Sequence, residues 1–180
     1  MFEFIKNFFR NRKIRKYAST VETKFLPLEQ ISTASFVIDV QETLFDLLKD
    51  DILAWCRKKG IKANIYFFDF RKLSQGEQLM TTIDKTFLRK ELSWIGAPAH
   101  DKVMPMLQEE CDLFVSMVDN GDFPIDYISR CIPAKFKIGR FDYPGNVFNM
   151  IFSGNGNENL RFDSRQIFTG LTDFLEKIRL

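Results

Sequence analysis

Residues 111–118 read Cys-Asp-Leu-Phe-Val-Ser-Met-Val, residues 123–128 read Phe-Pro-Ile-Asp-Tyr-Ile, and residues 134–140 read Ala-Lys-Phe-Lys-Ile-Gly-Arg. The first run has the length and apolar content of a buried strand, and the last alternates apolar and basic residues like a second strand. Between them, Asp122 and an early proline are typical of a helix start. Two strands joined through a helix form a βαβ unit with parallel strands, so this stretch predicts an α/β domain.

The rest of the chain continues the alternation of strands and helices. We predict further strands at residues 36–40, 63–70, 91–95 and 147–152, the last of them antiparallel at a sheet edge. Helices are predicted at residues 41–59 (ended by Gly60), at residues 101–110 (capped by Asp101), and from Asp163 onward (with Gln166 in the cap). For residues 71–90 two interpretations stay open, a short helix or an irregular crossover. The pattern predicts a three-layer α/β/α Rossmann-like sandwich, strand order 3-2-1-4-5-6, with a mostly parallel sheet.

Length and composition are those of one globular domain. The chain has 180 residues, of which 45% are hydrophobic and 28% charged, enough to build a core without disulfides or metals. We predict a single α/β domain over residues 36–180, preceded by a basic amphipathic helix at residues 1–17 and a linker at residues 18–35.

The N-terminal helix is predicted to carry Phe2, Ile5, Phe8 and Phe9 on one face. Residues 1–20 contain six Lys or Arg and one Glu, a net charge of +5, so the remaining residues carry −3. Three interpretations stay open: the Phe face docks on the domain, the helix lies on an anionic membrane surface, or it touches nucleic-acid phosphates. The apolar face and the acidic body favour a membrane over nucleic acid. The residues that would contact a membrane or another polyanion are Lys6, Arg10, Arg12, Lys13, Arg15 and Lys16.

The sequence predicts a cytoplasmic location, with the helix suggesting peripheral attachment at the inner membrane face. It has no secretion signal and no apolar run of spanning length. The odd cysteine count, Cys56, Cys111 and Cys131, indicates reduced thiols that pack in the core. His100 is the only histidine, so neither a cysteine–base pair nor a zinc site is predicted.

Candidate ligand-binding residues follow the predicted strands. In an open parallel sheet, ligands bind beyond the carboxyl ends of the strands where strand order reverses, here between strands one and four. The candidates there are Asp39, Gln41, Glu42, Thr43, Asp69, Asp119 and Asn120. Such carboxylates could hold Mg²⁺ or act as acid and base. The alternative is that they cap helices and fill turns.

Known cofactor and nucleophile motifs are absent from the sequence. There is no Walker loop and no GxSxG elbow, and Gly154-Asn155-Gly156 lacks the third glycine of a dinucleotide fingerprint. Asp119-Asn120-Gly121-Asp122 lacks the spacing of a calcium loop. We therefore predict no catalytic residue, no metal and no cofactor.

The segments Asp112-Leu-Phe-Val-Ser-Met, Asp126-Tyr-Ile-Ser and Ala134-Lys-Phe-Lys-Ile-Gly resemble an uncharacterised family of small bacterial proteins. In that family a basic N-terminal tail and a Trp-x-Gly after a strand, here Trp94-Ile95-Gly96, also occur. This resemblance covers most of the chain and implies no known activity. The same stretch is similar, at the level of fold, to the N-terminal Rossmann-like half of heptosyltransferase-type glycosyltransferases. Those enzymes close their site between two halves, and this chain has room for one.

These observations predict a non-catalytic binding or scaffold module, with an anionic membrane surface or a protein as its partner. The alternative is a small enzyme or a domain that binds a nucleotide or nucleotide sugar at the predicted crevice.

Overall fold

The fold is a six-stranded parallel sheet between layers of helices, and the computed structural model describes residues 2–71, 81–152 and 163–178. The strands are β1 (Thr33–Asp39), β2 (Lys62–Asp69), β3 (Thr86–Leu88), β4 (Cys111–Ser116), β5 (Ala134–Gly139) and β6 (Met150–Ile151). The helices are α1 (Phe2–Tyr17), α2 (Phe45–Lys59), α3 (His100–Gln108), α4 (Phe123–Cys131) and α5 (Ser164–Lys177). The sheet order β3-β2-β1-β4-β5-β6 confirms the predicted topology.

The central βαβ unit is β4, α4 and β5, as predicted. All six residues of β4 are buried, because the strand lies inside the sheet with helices on both faces. Cys111 pairs with Ala134 and Ser116 with Gly139, in parallel register along the two strands. Helix α4 follows Asp122 and has Pro124 in its first turn, where a missing N–H costs nothing.

Two apolar cores lie on opposite faces of the sheet. On one face α2 and α5 pack their apolar sides on β1, β2 and β4, with Ile52 and Phe168 in the centre. On the other face α3 and α4 pack against the sheet through Val103 and Ile128, while α1 lies outside α4. The buried side chains include Cys56, Cys111 and Cys131, so the prediction that the thiols pack in the core is confirmed.

Two helix ends follow their predicted signals and one does not. Helix α2 ends at Gly60, whose φ of 71° places it in the left-handed region that glycine accepts readily. Helix α5 begins after Asp163, whose Oδ1 accepts the Gln166 backbone N–H at 2.8 Å. The predicted cap at Asp101 is wrong, since α3 begins at His100 and Asp101 lies in its first turn. A carboxylate there still favours the helix electrostatically.

The third strand was predicted in the wrong place. It spans Thr86–Leu88, where the Phe87 ring stacks on Phe68 of β2 with centroids 5.0 Å apart. The predicted strand at residues 91–95 is a 3₁₀ turn followed by a loop. Glu91 stabilises the turn that follows β3, because its carboxylate accepts a hydrogen bond from the Leu88 N–H at 3.1 Å.

The last strand is parallel, not antiparallel. Residues 140–149 leave β5 at its carboxyl end and return to its middle, so β6 starts beside Ile138 in the same direction as β5. Asn149 anchors this return through two hydrogen bonds with the Lys137 backbone, at 2.8 and 2.9 Å. The segment Tyr143-Pro144-Gly145 is typical of a tight turn, which favours an antiparallel return, but this connection crosses back without a helix.

Residues 18–32 are tied to the domain at several points. The Ser19 N–H donates to the carbonyl of Arg130 at the end of α4, and the Lys24 N–H donates to the carbonyl of Lys135 in β5. Leu26 and Ile31 are buried in the core on the α2 side. The first strand begins at Thr33, three residues before its predicted start.

Lys137 is buried, although the alternation of apolar and basic residues over 134–138 is typical of a strand with one face in water. Its residue is only 4% exposed, and its Nζ donates to the Ser129 carbonyl at 2.8 Å. That carbonyl has no helical donor, because residue 133, four positions on, is a proline without an N–H. The lysine therefore supplies the hydrogen bond that α4 lacks at its carboxyl end.

Three further predictions lie outside the described residues, wholly or in part. They are the turn that the sequence indicates at Ser74-Gln75-Gly76-Glu77, the Gly154-Asn155-Gly156 segment, and residues 72–80 of the crossover predicted at residues 71–90.

Candidate functional site

The crevice at the carboxyl ends of β1 and β4 contains an arginine that joins its two sides. Arg140 follows β5 directly, and its side chain is only 9% exposed. Its Nη1 donates to Glu42 at 2.9 Å and to the Ser164 hydroxyl at 2.7 Å, and its Nη2 lies 3.3 Å from Asp119. Arg140 therefore links the loops after β1 and β4 to the start of α5.

Two of the predicted crevice carboxylates have raised pKa values. Burial raises the pKa of Glu42, and the ion pair with Arg140 offsets this only in part. Burial also raises the pKa of Asp39, and the nearby Asp122 and Asp69 carboxylates add to the effect. Asp39 in addition accepts the Gln41 backbone N–H at 2.8 Å, which is a turn-forming contact.

The other predicted crevice residues have structural contacts or face solvent. Asp69 is buried and pairs with Arg71 through two side-chain hydrogen bonds of 2.8 and 2.7 Å, which lower the pKa of Asp69. The Asn120 side chain accepts the Asp122 N–H at 3.0 Å. Gln41 and Thr43 are exposed. Among the described residues, no group of three or more His, Cys, Asp or Glu side chains is placed to hold a metal ion.

Sequence reasoning missed Arg140, although a signal for it existed. A basic residue directly after a strand belongs to the carboxyl edge of the sheet by the same rule that selected Asp119. The Nη1 and Nη2 groups of Arg140 already donate to Glu42, Asp119 and Ser164, whereas its buried Nε has no hydrogen-bond partner in the described part of the chain.

Helix α1 docks on α4 through a face that contains two of its basic residues. Arg10 donates through Nε to the Ile95 carbonyl at 2.7 Å, and its guanidinium lies 4.5 Å above the Phe123 ring. Lys13 lies over the ring of Tyr127 at 5.4 Å. Ile14 and Tyr17 complete the docked face and pack against the core on that side. The spacing of these positions places them on one side of a helix.

The Phe side chains of α1 remain largely on the outside of the molecule. Phe4 is 78% exposed and Phe8 58% exposed, and Trp94 of the neighbouring loop is 57% exposed. Phe9 contacts Trp94 edge to face, with ring centroids 5.4 Å apart. We define the aromatic patch as the group of exposed apolar side chains at this end of the molecule. They are Phe2, Phe4, Ile5, Phe8, Phe9 and Trp94.

The basic residues of α1 thus divide into those that contact a neighbouring group and those that are exposed without an ion pair. Arg10 and Lys13 take part in docking, and Lys6 lies 3.9 Å from Glu3. Arg12, Arg15 and Lys16 are exposed, and within the described part of the chain none of the three forms an ion pair. They follow the aromatic patch along the same outer side of the helix. The outer side is therefore apolar in its first half and basic in its second.

The direction of α1 places the aromatic patch beyond the carboxyl edge of the sheet. Arg10, Lys13 and Ser19 contact Phe123, Tyr127 and Arg130 in that order, so α1 runs parallel to α4. Helix α4 starts at the carboxyl edge, and α1 extends eight residues past Arg10, which is about 12 Å. Within the described ranges, no helix has the length and apolar content required to cross a bilayer.

Comparison with known proteins gives a family but no activity. No curated protein and no solved structure matches the chain. The family of unknown function DUF6913 matches residues 6–168, which include the docked part of α1, the Trp94-Ile95-Gly96 loop and the whole sheet. The match covers most of the sequence, and the chain therefore belongs to the family of unknown function DUF6913.

Proposed function

We propose that this protein is a non-catalytic binding or scaffold module that attaches to an anionic membrane surface through α1. The observation that carries the proposal is the outer side of α1, where the aromatic patch is followed by Arg12, Arg15 and Lys16. Apolar rings next to cations are the composition of interfacial membrane-binding helices.

Both halves of this surface contribute to the binding free energy. Transfer of a Phe side chain out of water is worth roughly 1.5–3 kcal/mol when burial is complete. A Lys or Arg close to an anionic leaflet adds about 1 kcal/mol. Because the surface combines both contributions, we expect binding to require both an apolar interior and a negative surface.

The charge of α1 favours an anionic membrane over a second copy of the chain as the partner that binds its outer side. A symmetric dimer through α1 would bring two segments of charge +5 together, and Glu3 is the only acidic residue in residues 1–20. An anionic leaflet neutralises the same charges. The body, with a charge of −3, is repelled by that leaflet, so attachment is restricted to α1 and the loop beside it.

Vesicle co-sedimentation tests this proposal with a matched pair of variants. Phe4→Ser/Phe8→Ser removes two exposed rings of the patch without touching the docked face of α1. Leu47→Ser/Leu53→Ser removes two exposed apolar side chains from α2 and is the control. We expect wild type and control to sediment with vesicles of phosphatidylcholine and phosphatidylglycerol. The Phe variant should bind these vesicles at least about ten-fold more weakly. Added salt should weaken the binding of all three proteins.

Three results would contradict the proposal. Wild type could fail to bind anionic vesicles, the Phe variant could bind as well as wild type, or vesicles of phosphatidylcholine alone could bind equally well. Light scattering on the same proteins identifies a second copy as the occupant, if wild type dimerises and the Phe variant does not.

The second candidate function is a small ligand at the crevice. It is favoured by one observation, the two partly exposed carboxylates Glu42 and Asp39 with raised pKa at the point where strand order reverses. Thermal shift against nucleotides, nucleotide sugars and Mg²⁺ tests it, because a ligand of the folded state raises the melting temperature. The module proposal predicts no shift. A shift that is lost in Glu42→Gln and Asp39→Asn would establish the crevice as a ligand site.

A further inference from the structure

A cavity of about 290 Å³ lies between α1 and the loop that carries Trp94. Its walls combine three cations with three aromatic rings, and these are Arg12, Lys13, Lys16, Phe9, Tyr17 and Trp94. The volume is at the lower end of the range for small-ligand sites, about 300 Å³. It is open to solvent and large enough for a polar headgroup.

The side chains that line the cavity carry a positive charge that no acidic side chain among them neutralises. No carboxylate lines it, and in the described ranges Arg12 and Lys16 have no acidic partner. Lys13 lies over Tyr127, which fixes its position but leaves its charge uncompensated. Such a site selects an anion, and a planar guanidinium together with ammonium groups suits phosphate oxygens.

The position of the cavity indicates which kind of molecule carries that anion. Phe9 and Trp94 line the cavity and also belong to the aromatic patch, so the cavity adjoins the apolar end of the surface. When rings of the patch enter a bilayer, the headgroup layer lies next to them at the level of the basic half of α1. We propose that this cavity binds the headgroup phosphate of an anionic phospholipid, an inference that rests on the membrane attachment proposed above.

Two arginines of α1 allow binding in the cavity to be distinguished from general electrostatic attraction to the membrane. Arg12 lines the cavity, whereas Arg15 is exposed on α1 outside it. Arg12→Gln and Arg15→Gln remove the same charge, and in the described part of the chain neither arginine forms a hydrogen bond or ring contact with α4. On vesicles of phosphatidylcholine with phosphatidic acid, we expect Arg12→Gln to weaken binding about ten-fold more than Arg15→Gln, because only Arg12 loses a charged hydrogen bond to phosphate.

A soluble analogue distinguishes the lipid from a free phosphate ester. Glycerol 3-phosphate is titrated into the protein while the indole N–H signal of Trp94 is followed by NMR, with glycerol as the control. We expect a weak response that only millimolar concentrations produce, since the analogue lacks the apolar anchoring of the patch. The same indole signal should shift fully when phosphatidic acid vesicles are added.

Each outcome has a definite meaning. Equal losses for Arg12→Gln and Arg15→Gln would overturn the headgroup site and leave general membrane attachment intact. Tight binding of glycerol 3-phosphate without vesicles would assign the cavity to a soluble phosphate ester and overturn the lipid. Absence of vesicle binding by wild type would remove both the headgroup site and the proposed function.

Discussion

At the scale of single residues, buried charges hold the ends of the strands together. Asp112, at the start of β4, accepts hydrogen bonds from the backbone N–H groups of Ser32 and Thr33 at 3.0 Å each. Lys135 of β5 donates to its other oxygen at 2.9 Å. One carboxylate therefore connects the amino ends of β1, β4 and β5. Burial opposes its ionisation, but these hydrogen bonds outweigh burial and hold the pKa of Asp112 well below its ordinary value.

Asp112→Asn should destabilise the fold by about 2–3 kcal/mol, because the amide turns an N–H donor toward the Lys135 ammonium and loses charged hydrogen bonds. Urea unfolding at neutral pH measures this change. Since the folded-state pKa is depressed, the contribution of the carboxylate is complete above its ordinary pKa of 3.8 and is lost as pH falls below it. The difference between wild type and variant should therefore shrink in acid. Asp142→Asn, at an exposed position, is the control and should change nothing.

Lys137 also makes the folded state more stable as pH rises, but in an alkaline range. Burial lowers the pKa of Lys137 from 10.5 to about 8. Between these values the unfolded chain keeps the proton that the folded chain has released, so the folded state becomes relatively more stable as pH rises. Lys137→Met removes this titration.

We expect the unfolding free energy of wild type, relative to Lys137→Met, to increase by about 3 kcal/mol from below pH 8 to pH 10.5. Chemical denaturation across this range measures it. Comparison with the variant is necessary because the buried thiols, whose pKa burial also raises, titrate in the same range in both proteins. Parallel curves for the two proteins would show that Lys137 keeps its proton throughout.

At the scale of elements, α1 depends on its neighbours for its structure. An isolated helix of 16 residues is marginal in water, so the docked face has to stabilise it. The loop that receives it is the Trp94-Ile95-Gly96 segment: Ile95 accepts the Arg10 hydrogen bond, and Trp94 contacts Phe9. Gly96 has a φ of 84°, and a Cβ there would lie 3.4 Å from Arg10 Nη2 and 3.7 Å from the Phe123 ring.

Gly96→Val should release α1, because the side chain added at this position would push against Arg10 and Phe123. Hydrogen exchange of the α1 amides is the measurement, and we expect them to lose protection while α2 and β4 keep theirs. Gly60→Val is the matched control. Its φ of 71° imposes a similar backbone cost, about 1–2 kcal/mol, but a Cβ there meets nothing within 4 Å. Loss of α1 protection in both variants would show that the backbone strain alone is responsible.

At the scale of the whole molecule, the proposed attachment through α1 would orient the domain on a membrane. The aromatic patch projects past the carboxyl edge of the sheet, which is the edge that contains Glu42, Asp119 and Arg140. Attachment through the patch would turn this edge toward the bilayer and the edge with Asp112 away from it. A ligand of the crevice would then approach along the membrane surface.

Spin labels at the two edges test this orientation. Gln41→Cys places a label just after β1, and Lys62→Cys places one at the start of β2; both positions are exposed, and the native cysteines are buried. With vesicles that carry a nickel-chelating lipid, we expect stronger relaxation of the label at position 41 than at position 62. Equal relaxation, or a stronger effect at position 62, would contradict the orientation. Phe4→Ser/Phe8→Ser should abolish the difference.

The sequence by itself determined the sheet order, the central unit, the carboxyl end of α2 and the start of α5, because these depend on local rules. Apolar runs of strand length, Gly60 and Asp163 act within a few residues, and handed crossovers leave few topologies. The charge of α1 also follows directly from its composition.

Only the tertiary structure decided which partners those residues have. The position of β3 depends on Phe87 meeting Phe68, the direction of β6 depends on Asn149 reaching Lys137, and the burial of Lys137 depends on the carbonyl that Pro133 leaves free. Arg140 joins three loops, and α1 docks through Arg10 and leaves its Phe side chains outside. Each of these contacts links positions that are distant along the chain or face a particular side of an element. Local propensity does not encode such pairings, and long-range packing does.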